Sequence, residues 1–151
     1  MKDSAETDRL EKNLRSHKFS GSGFLGSDKR SVNEIIESDE AVLLKAGKSR
    51  REIAARMRDI TRLAKAGLET PVKIDDNLEA QVIDARGSLP CPWPHPGHYG
   101  KSVTTARRTD TEQSVTWTEL NIHMIEEHGF FEGKGAYFRI EPRELIEVIF
   151  I

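Results

Sequence analysis

Five side chains that can ligate a metal fall in two short stretches of the chain. Cys91, His95 and His98 lie close together, and His123 and His128 follow about thirty residues later. Thiolate and imidazole are the donors that zinc prefers, and four of them can surround the ion as a tetrahedron. The pattern therefore predicts a metal site, with zinc as the cofactor, formed by Cys91, His95, His98 and His123.

The histidines His123 and His128 both fall on a predicted helix. A separation of five residues rotates the second side chain by about 140° from the first, so the two leave different faces of the helix. We therefore expect only one of them to reach the other donors, and we assign His123 as that ligand. The spacing also departs from the four-residue separation of zinc-protease helices, which argues against that class.

Four prolines lie between Gly87 and Gly100, the stretch that carries Cys91. Their missing amide donors and fixed φ angles exclude a helix or a central strand, so we predict an ordered loop. A histidine that this loop brought near Cys91 would lower the pKa of its thiol. The same residues therefore leave open a metal- or cysteine-dependent enzyme.

Aromatic and cationic residues mark a second candidate site for a ligand. The stretch 130–139 places Lys134 and Arg139 among aromatic side chains and paired glycines. Such a turn can present backbone amides and a cation to an anion, although a strand connection with inward aromatics is the alternative. We assign ligand binding to Lys134 and Arg139, together with Trp93 of the proline-rich loop.

A basic stripe follows one face of a predicted helix. Between residues 45 and 65 there are eight Lys or Arg residues against two acids, although the formal charge of the chain is -2. In helical projection Arg51, Arg58, Arg62 and Lys65 lie opposite the apolar side. The stripe is the candidate nucleic-acid contact. Residues 47–54 resemble the first helix of helix-turn-helix domains, but no recognition helix follows, which favours a solvated face.

The elements that position these residues are indicated by capping boxes and by hydrophobic period. Ser31 with Glu34 and Ser49 with Glu52 begin two helices, which predict a helical hairpin over 31–67. After Pro71 the apolar residues alternate, which is typical of strands. The predicted strands and their bounds are 72–74, 79–86, 102–108 and 113–118.

The last part of the chain returns to a helical pattern. Thr116 with Glu119 forms a third capping box that begins a helix ending at Gly129. Beyond it we predict a short strand at 137–140, a turn of helix after Pro142 and a final apolar strand.

Together these elements predict an α+β fold, with an N-terminal helical hairpin packed on a small, mostly antiparallel sheet and one further helix. A flexible charged tail and Gly/Ser linker are expected over 1–27. A single domain is expected over 28–151, its sheet-containing part over 71–151. No apolar run approaches the roughly 18–20 residues that span a bilayer, so no membrane contact is expected. A lone cysteine fits a cytoplasmic location.

Three functions are compatible with these features. The leading hypothesis is a non-enzymatic binding or interaction domain, self-associating as a homo-oligomer, with a ligand or metal site at the proline-rich loop. The alternatives are the metal- or cysteine-dependent enzyme described above and a nucleic-acid regulator acting through helix 49–66, against which the net charge weighs.

Overall fold

The computed structural model describes residues 5–16 and 23–150 of the chain. The helices are α1 (Ala5–Arg15), α2 (Val32–Ala46), α3 (Arg50–Ala64), α4 (Glu119–His128) and α5 (Pro142–Ile149), and a 3-10 turn, Lys65–Gly67, follows α3. The strands are β1 (Val72–Asp75), β2 (Leu78–Ile83), β3 (Ser88–Pro90), β4 (His98–Gly100), β5 (Val103–Arg108) and β6 (Ser114–Thr118). Within the described ranges, no helix is both long enough and apolar enough to cross a bilayer.

In the part of the chain that the structure describes, the strands form two separate sheets. Four of them lie in the order β1-β2-β5-β6, and every neighbouring pair is antiparallel. The other two, β3 and β4, pair only with each other, with Ser88 opposite Gly100. The helices and the mostly antiparallel sheet confirm the α+β class that was predicted from the change of hydrophobic period.

One apolar cluster joins the four-stranded sheet to the helices. Helix α3 lies against α4 and the sheet, whereas α2 packs mainly against α5. The α3 residues Ile53, Met57 and Ile60 are fully buried, as is Trp117 of β6. The indole Nε1 of Trp117 donates a hydrogen bond of 2.9 Å to the Thr61 hydroxyl, which ties the sheet to α3.

A second apolar cluster joins the start of the chain to α4. It contains Leu14 of α1 together with Phe24 and Leu25, all of which are buried. The described part of the segment 1–27 is therefore a helix and a turn anchored by Phe24 and Leu25. Residues 1–4 and 17–22, which include the start of the Gly/Ser linker, lie outside the described residues.

Three local predictions are wrong. Helix α4 is capped by Thr118 with Asn121, two residues later than the predicted box. Residues 137–140 form a turn followed by irregular backbone in place of a strand. Helix α5 continues to Ile149 in place of a final strand, because its buried residues Leu145, Val148 and Ile149 follow the helical spacing.

The proline-rich loop contains the short β3–β4 ribbon, which we did not predict. Proline is tolerated there because a two-stranded ribbon consists only of edge strands. Pro90 is the last residue of β3 and lies opposite His98. The ribbon packs on α4 through β4, and this contact brings the loop tip to the histidines of that helix.

Candidate metal centre

The loop tip and α4 bring four metal-ligating side chains together. Cys91 directly follows β3, and His95 lies in the irregular stretch between β3 and β4. His123 and His128 belong to α4. One donor atom from each of these four residues lies within 4.8 Å of the donors of the other three. Cys91 is buried, and the three histidines are partly buried.

Three of the six distances between these donors match the edges of a zinc tetrahedron. The Nε2 atom of His95 lies 3.1 Å from that of His123 and 3.3 Å from that of His128. The Sγ atom of Cys91 lies 3.5 Å from Nε2 of His128. Bonds of about 2.0–2.1 Å to nitrogen and 2.3 Å to sulfur require N···N edges of about 3.3 Å and S···N edges of about 3.6 Å. Three edges therefore fit a tetrahedral zinc ion, and the other three are no longer than 4.8 Å.

A hydrogen bond fixes which nitrogen of His95 can bind a metal. The Nδ1 atom of His95 lies 2.9 Å from the carbonyl oxygen of Pro96, which can only accept. Nδ1 therefore carries the hydrogen in the neutral ring, and Nε2 presents its lone pair to His123 and His128. The single lone pair on this Nε2 atom can accept one good hydrogen bond, so it cannot pair well with both His123 and His128. A metal cation can bind all three imidazole rings at once. Such a carbonyl partner is typical of metal-bound histidine.

Aromatic rings hold two of the imidazoles in place. The ring of Trp93 stacks on His128 with centroids 4.1 Å apart. The ring of Tyr99 stacks on His123 with centroids 4.2 Å apart. Both aromatic residues come from the loop and ribbon, so their packing on α4 sets the orientation of the donors before a metal binds.

Burial favours the uncharged forms of Cys91, His123 and His128. It raises the pKa of the Cys91 thiol to about 11 and lowers that of His128 to about 4. The pKa of His123 is lowered by burial and then by the neighbouring charge of His95. His123 and His128 are therefore free to donate lone pairs at neutral pH. The thiol must lose its proton to bind a metal.

Three of the four predicted ligands are in this centre. Cys91, His95 and His123 converge, but His98 is exposed on β4 and His128 takes its place. Neighbouring side chains of a strand point to opposite sides. Because Tyr99 points to α4, His98 points away from it.

Both histidines of α4 reach the centre, although we expected only one. The ring of His95 lies between them and contacts both. Helical side chains also lean toward the N-terminus of the helix, so the ring of His128 reaches back over the turn before it. The angle between two Cβ atoms around a helix therefore does not decide whether both side chains reach one site. A ring from another element, here that of His95, can lie between them and contact both.

The predicted ligand-binding residues do not form one site. Trp93 stacks on His128 of the candidate metal centre, whereas Lys134 is exposed and its main-chain N–H donates to the Asp28 carboxylate. The guanidinium of Arg139 is largely buried and donates to Asp39 at 2.7 Å and 3.0 Å and to Glu141 at 3.1 Å. Its donors are therefore already engaged within the fold.

The basic stripe lies on the exposed face of α3, and part of its charge is paired. Arg58 binds Glu126 at 2.8 Å and Arg62 binds Asp59 at 2.7 Å. Arg51 and Lys65 are exposed. The two ion pairs reduce the positive charge that this face presents.

Comparison with protein-family models, with curated proteins and with solved structures finds no match to this chain. Its function is therefore inferred from the geometry and chemistry of its own residues.

Proposed function

We propose that this protein binds one zinc ion through Cys91, His95, His123 and His128, and that it is a non-enzymatic binding domain. The convergence of these four donors within 4.8 Å of one another, with three donor pairs at the spacing of a zinc tetrahedron, carries the proposal. In this proposal the ion clamps the proline-rich loop onto α4.

The loop has few main-chain hydrogen bonds, although Cys91 and Trp93 pack in the second apolar cluster. Residues 91–97 have no regular secondary structure. The main-chain N–H of His95 donates to the carbonyl oxygen of Trp93 at 2.9 Å, and the side-chain amide of Asn13 donates to the carbonyl oxygen of Pro92 at 3.3 Å. A metal that joins Cys91 and His95 to α4 would contribute directly to folding. A reducing cytoplasm would keep the thiol available.

The geometry supports a structural ion better than either enzyme alternative. A catalytic zinc keeps one coordination position for water or substrate, whereas here four protein donors fill the tetrahedron. A nucleophilic cysteine needs its thiolate, whereas burial raises the pKa of Cys91 to about 11 and lowers that of its neighbour His128 to about 4. Proton transfer from the thiol to this histidine is therefore unfavourable.

The proposal is tested by metal analysis and cobalt substitution of the purified full chain. We expect one zinc per chain, and we expect Co²⁺ in its place to give the intense visible bands of tetrahedral coordination. A thiolate-to-cobalt charge-transfer band should appear in the near ultraviolet and should be lost in Cys91→Ser.

The matched control is His98→Gln, because His98 lies in the same ribbon outside the donor cluster. This variant should keep full zinc content and the wild-type cobalt spectrum, whereas His128→Gln should lose affinity. The absence of stoichiometric binding by wild type, or an octahedral cobalt spectrum, would reject the proposal. Equal losses in His98→Gln and His128→Gln would reject the assignment of ligands.

A further inference from the structure

A pocket of about 330 Å³ lies between the β3–β4 ribbon and the N-terminal end of α4. Its volume is at the lower end of the range for small-molecule sites, about 300–1,000 Å³. The walls are mainly apolar and include Phe24, Leu89, Leu120 and Phe138. None of the four proposed zinc ligands lines it, so the pocket is separate from the metal centre.

A buried carboxyl group belongs to this pocket. Glu132 is 3% exposed and lines the cavity. Its Oε2 atom accepts a hydrogen bond of 3.0 Å from the side-chain amide of Asn121. The orientation of that amide is fixed, because its oxygen accepts from the Thr118 N–H at the start of α4. Asn121 therefore presents its NH₂ group to Glu132.

The backbone of Glu132 is in an unusual conformation. Its φ angle is +69°, in the left-handed region that glycine and asparagine adopt most easily. Strain of this kind is concentrated at functional sites, where the side chain is needed in one place. The fold therefore keeps the Glu132 carboxyl group in the pocket although its backbone conformation costs free energy.

The carboxyl group has no counter-ion bound to it among the described residues. Arg139 is the nearby cation, but it donates to the main-chain oxygen of Glu132 and to Asp39 and Glu141. Lys101 is exposed at the pocket wall, and its Nζ lies near Gly87. Burial raises the pKa of Glu132 to about 8, as expected for a carboxyl group without a bound cation.

We propose that this pocket binds a small organic cation, an ammonium group on an apolar body, and that the Glu132 carboxylate is its counter-ion. The apolar walls exclude water from the pair, which strengthens the attraction between the charges. The ammonium group donates to the buried Glu132 carboxylate the hydrogen bonds that water cannot reach it to donate. The apolar body of the ligand packs on Phe24, Leu89 and Leu120. The site does not depend on the proposed zinc ion.

The test uses three probes of nearly equal shape on the full chain: 2-phenylethylammonium, 2-phenylethanol and 3-phenylpropionate. Calorimetry at pH 8 should show the ammonium binding at least tenfold more tightly than the alcohol, with the carboxylate weakest. In Glu132→Gln this preference should fall to less than threefold. Lys101→Gln, which removes the other charge of the pocket wall, should keep it.

Several outcomes would overturn the proposal. One is that none of the three probes binds, and another is that the ammonium and the alcohol bind equally. A third is that the carboxylate binds most tightly, which would make Lys101 the charged partner of the ligand. An unchanged preference in Glu132→Gln would do the same. If that variant does not fold, the comparison of probes on the wild-type chain still decides. These outcomes leave the zinc proposal untouched, since that is tested by metal content.

Discussion

The indole ring of Trp93 lies face to face with the imidazole of His128, with centroids 4.1 Å apart and planes inclined by 4°. This stack joins the proline-rich loop to the last residue of α4. Trp93 also contacts the edge of Phe130 in the apolar cluster below, at 5.4 Å between centroids. Trp93 therefore links the core to the proposed metal centre without ligating the ion.

Removal of this stack is expected to weaken zinc binding. Trp93→Ala should lower the affinity by about tenfold, because groups that orient metal ligands typically contribute 10- to 100-fold. Trp93→Phe retains an aromatic face and should lose much less. Competition with a chromophoric chelator measures both affinities. Equal affinities in wild type and Trp93→Ala would show that the stack does not orient His128 for the metal.

Zinc binding is expected to release a proton from Cys91. Burial raises the pKa of this thiol to about 11, so it is protonated at pH 8 and must ionise to bind. His128 has a pKa of about 4 and contributes no proton at that pH. Calorimetry at pH 8 in two buffers of different ionisation enthalpy should therefore give about one proton released per zinc.

The sign of the pH dependence follows from that proton. Apparent affinity should rise by about tenfold per pH unit between pH 8 and 9, below the pKa of the thiol. Cys91→Ser is the control, because its hydroxyl keeps its proton at these values. A binding event in wild type that released no proton would contradict coordination by the thiolate.

The sequence indicated most elements for local reasons. The capping boxes at Ser31 and Ser49 are both formed, and Gly47 and Gly129 end α2 and α4 with positive φ angles. These signals join residues three or four apart, so they depend little on tertiary context. The box predicted at Thr116 and Glu119 is the exception, because β6 continues to Thr118. The end of the chain was harder, because a short apolar run such as 145–151 fits a strand or a helix until its partners are known.

The candidate sites depended on contacts between distant parts of the chain. Cys91, His95 and His123 could be grouped by donor type, but the choice of His128 over His98 required the packing of β4 on α4. Glu132 carried no sequence signal, because its role depends on Asn121 and on a pocket wall formed by Phe24. Spacing describes one element at a time, whereas these sites are formed where elements meet.

A buried hydroxyl links the sheet to α3, and its removal should reduce stability. The Thr61 hydroxyl accepts from Trp117 Nε1 at 2.9 Å and lies 2.8 Å from the Thr104 hydroxyl. Thr61→Val keeps the shape but leaves a buried donor without its partner, at a cost of about 1–3 kcal/mol. Urea unfolding measures the change.

The matched control for that variant is Thr105→Val. Its hydroxyl pairs with Thr116 at 3.2 Å on the partly buried face of the same sheet, where water can replace it. We expect a cost below about 1 kcal/mol. Equal losses of unfolding free energy in the two variants would mean that the buried hydrogen bonds of Thr61 stabilise the fold no more than the partly exposed one of Thr105.

The buried carboxyl of Glu132 should make the protein less stable as the pH rises. Its pKa is about 8 in the folded chain, against an ordinary value of 4.5, mainly because burial disfavours the charged form. The folded state therefore holds the proton more tightly than the unfolded state. This contribution is complete below about pH 4.5 and is lost as the pH rises through 8, by at most about 1.4 kcal/mol per pH unit.

Glu132→Gln removes this titration and keeps an oxygen that can accept from Asn121. Relative to wild type, the variant should gain free energy of unfolding steadily between pH 5 and pH 8, as measured in urea. Arg139 and Lys101, the cations nearest the group or its pocket, are common to both proteins. Glu144→Gln, an exposed change on α5, should show no such gain. A constant difference between Glu132→Gln and wild type would mean that the carboxyl is solvated and ionised throughout.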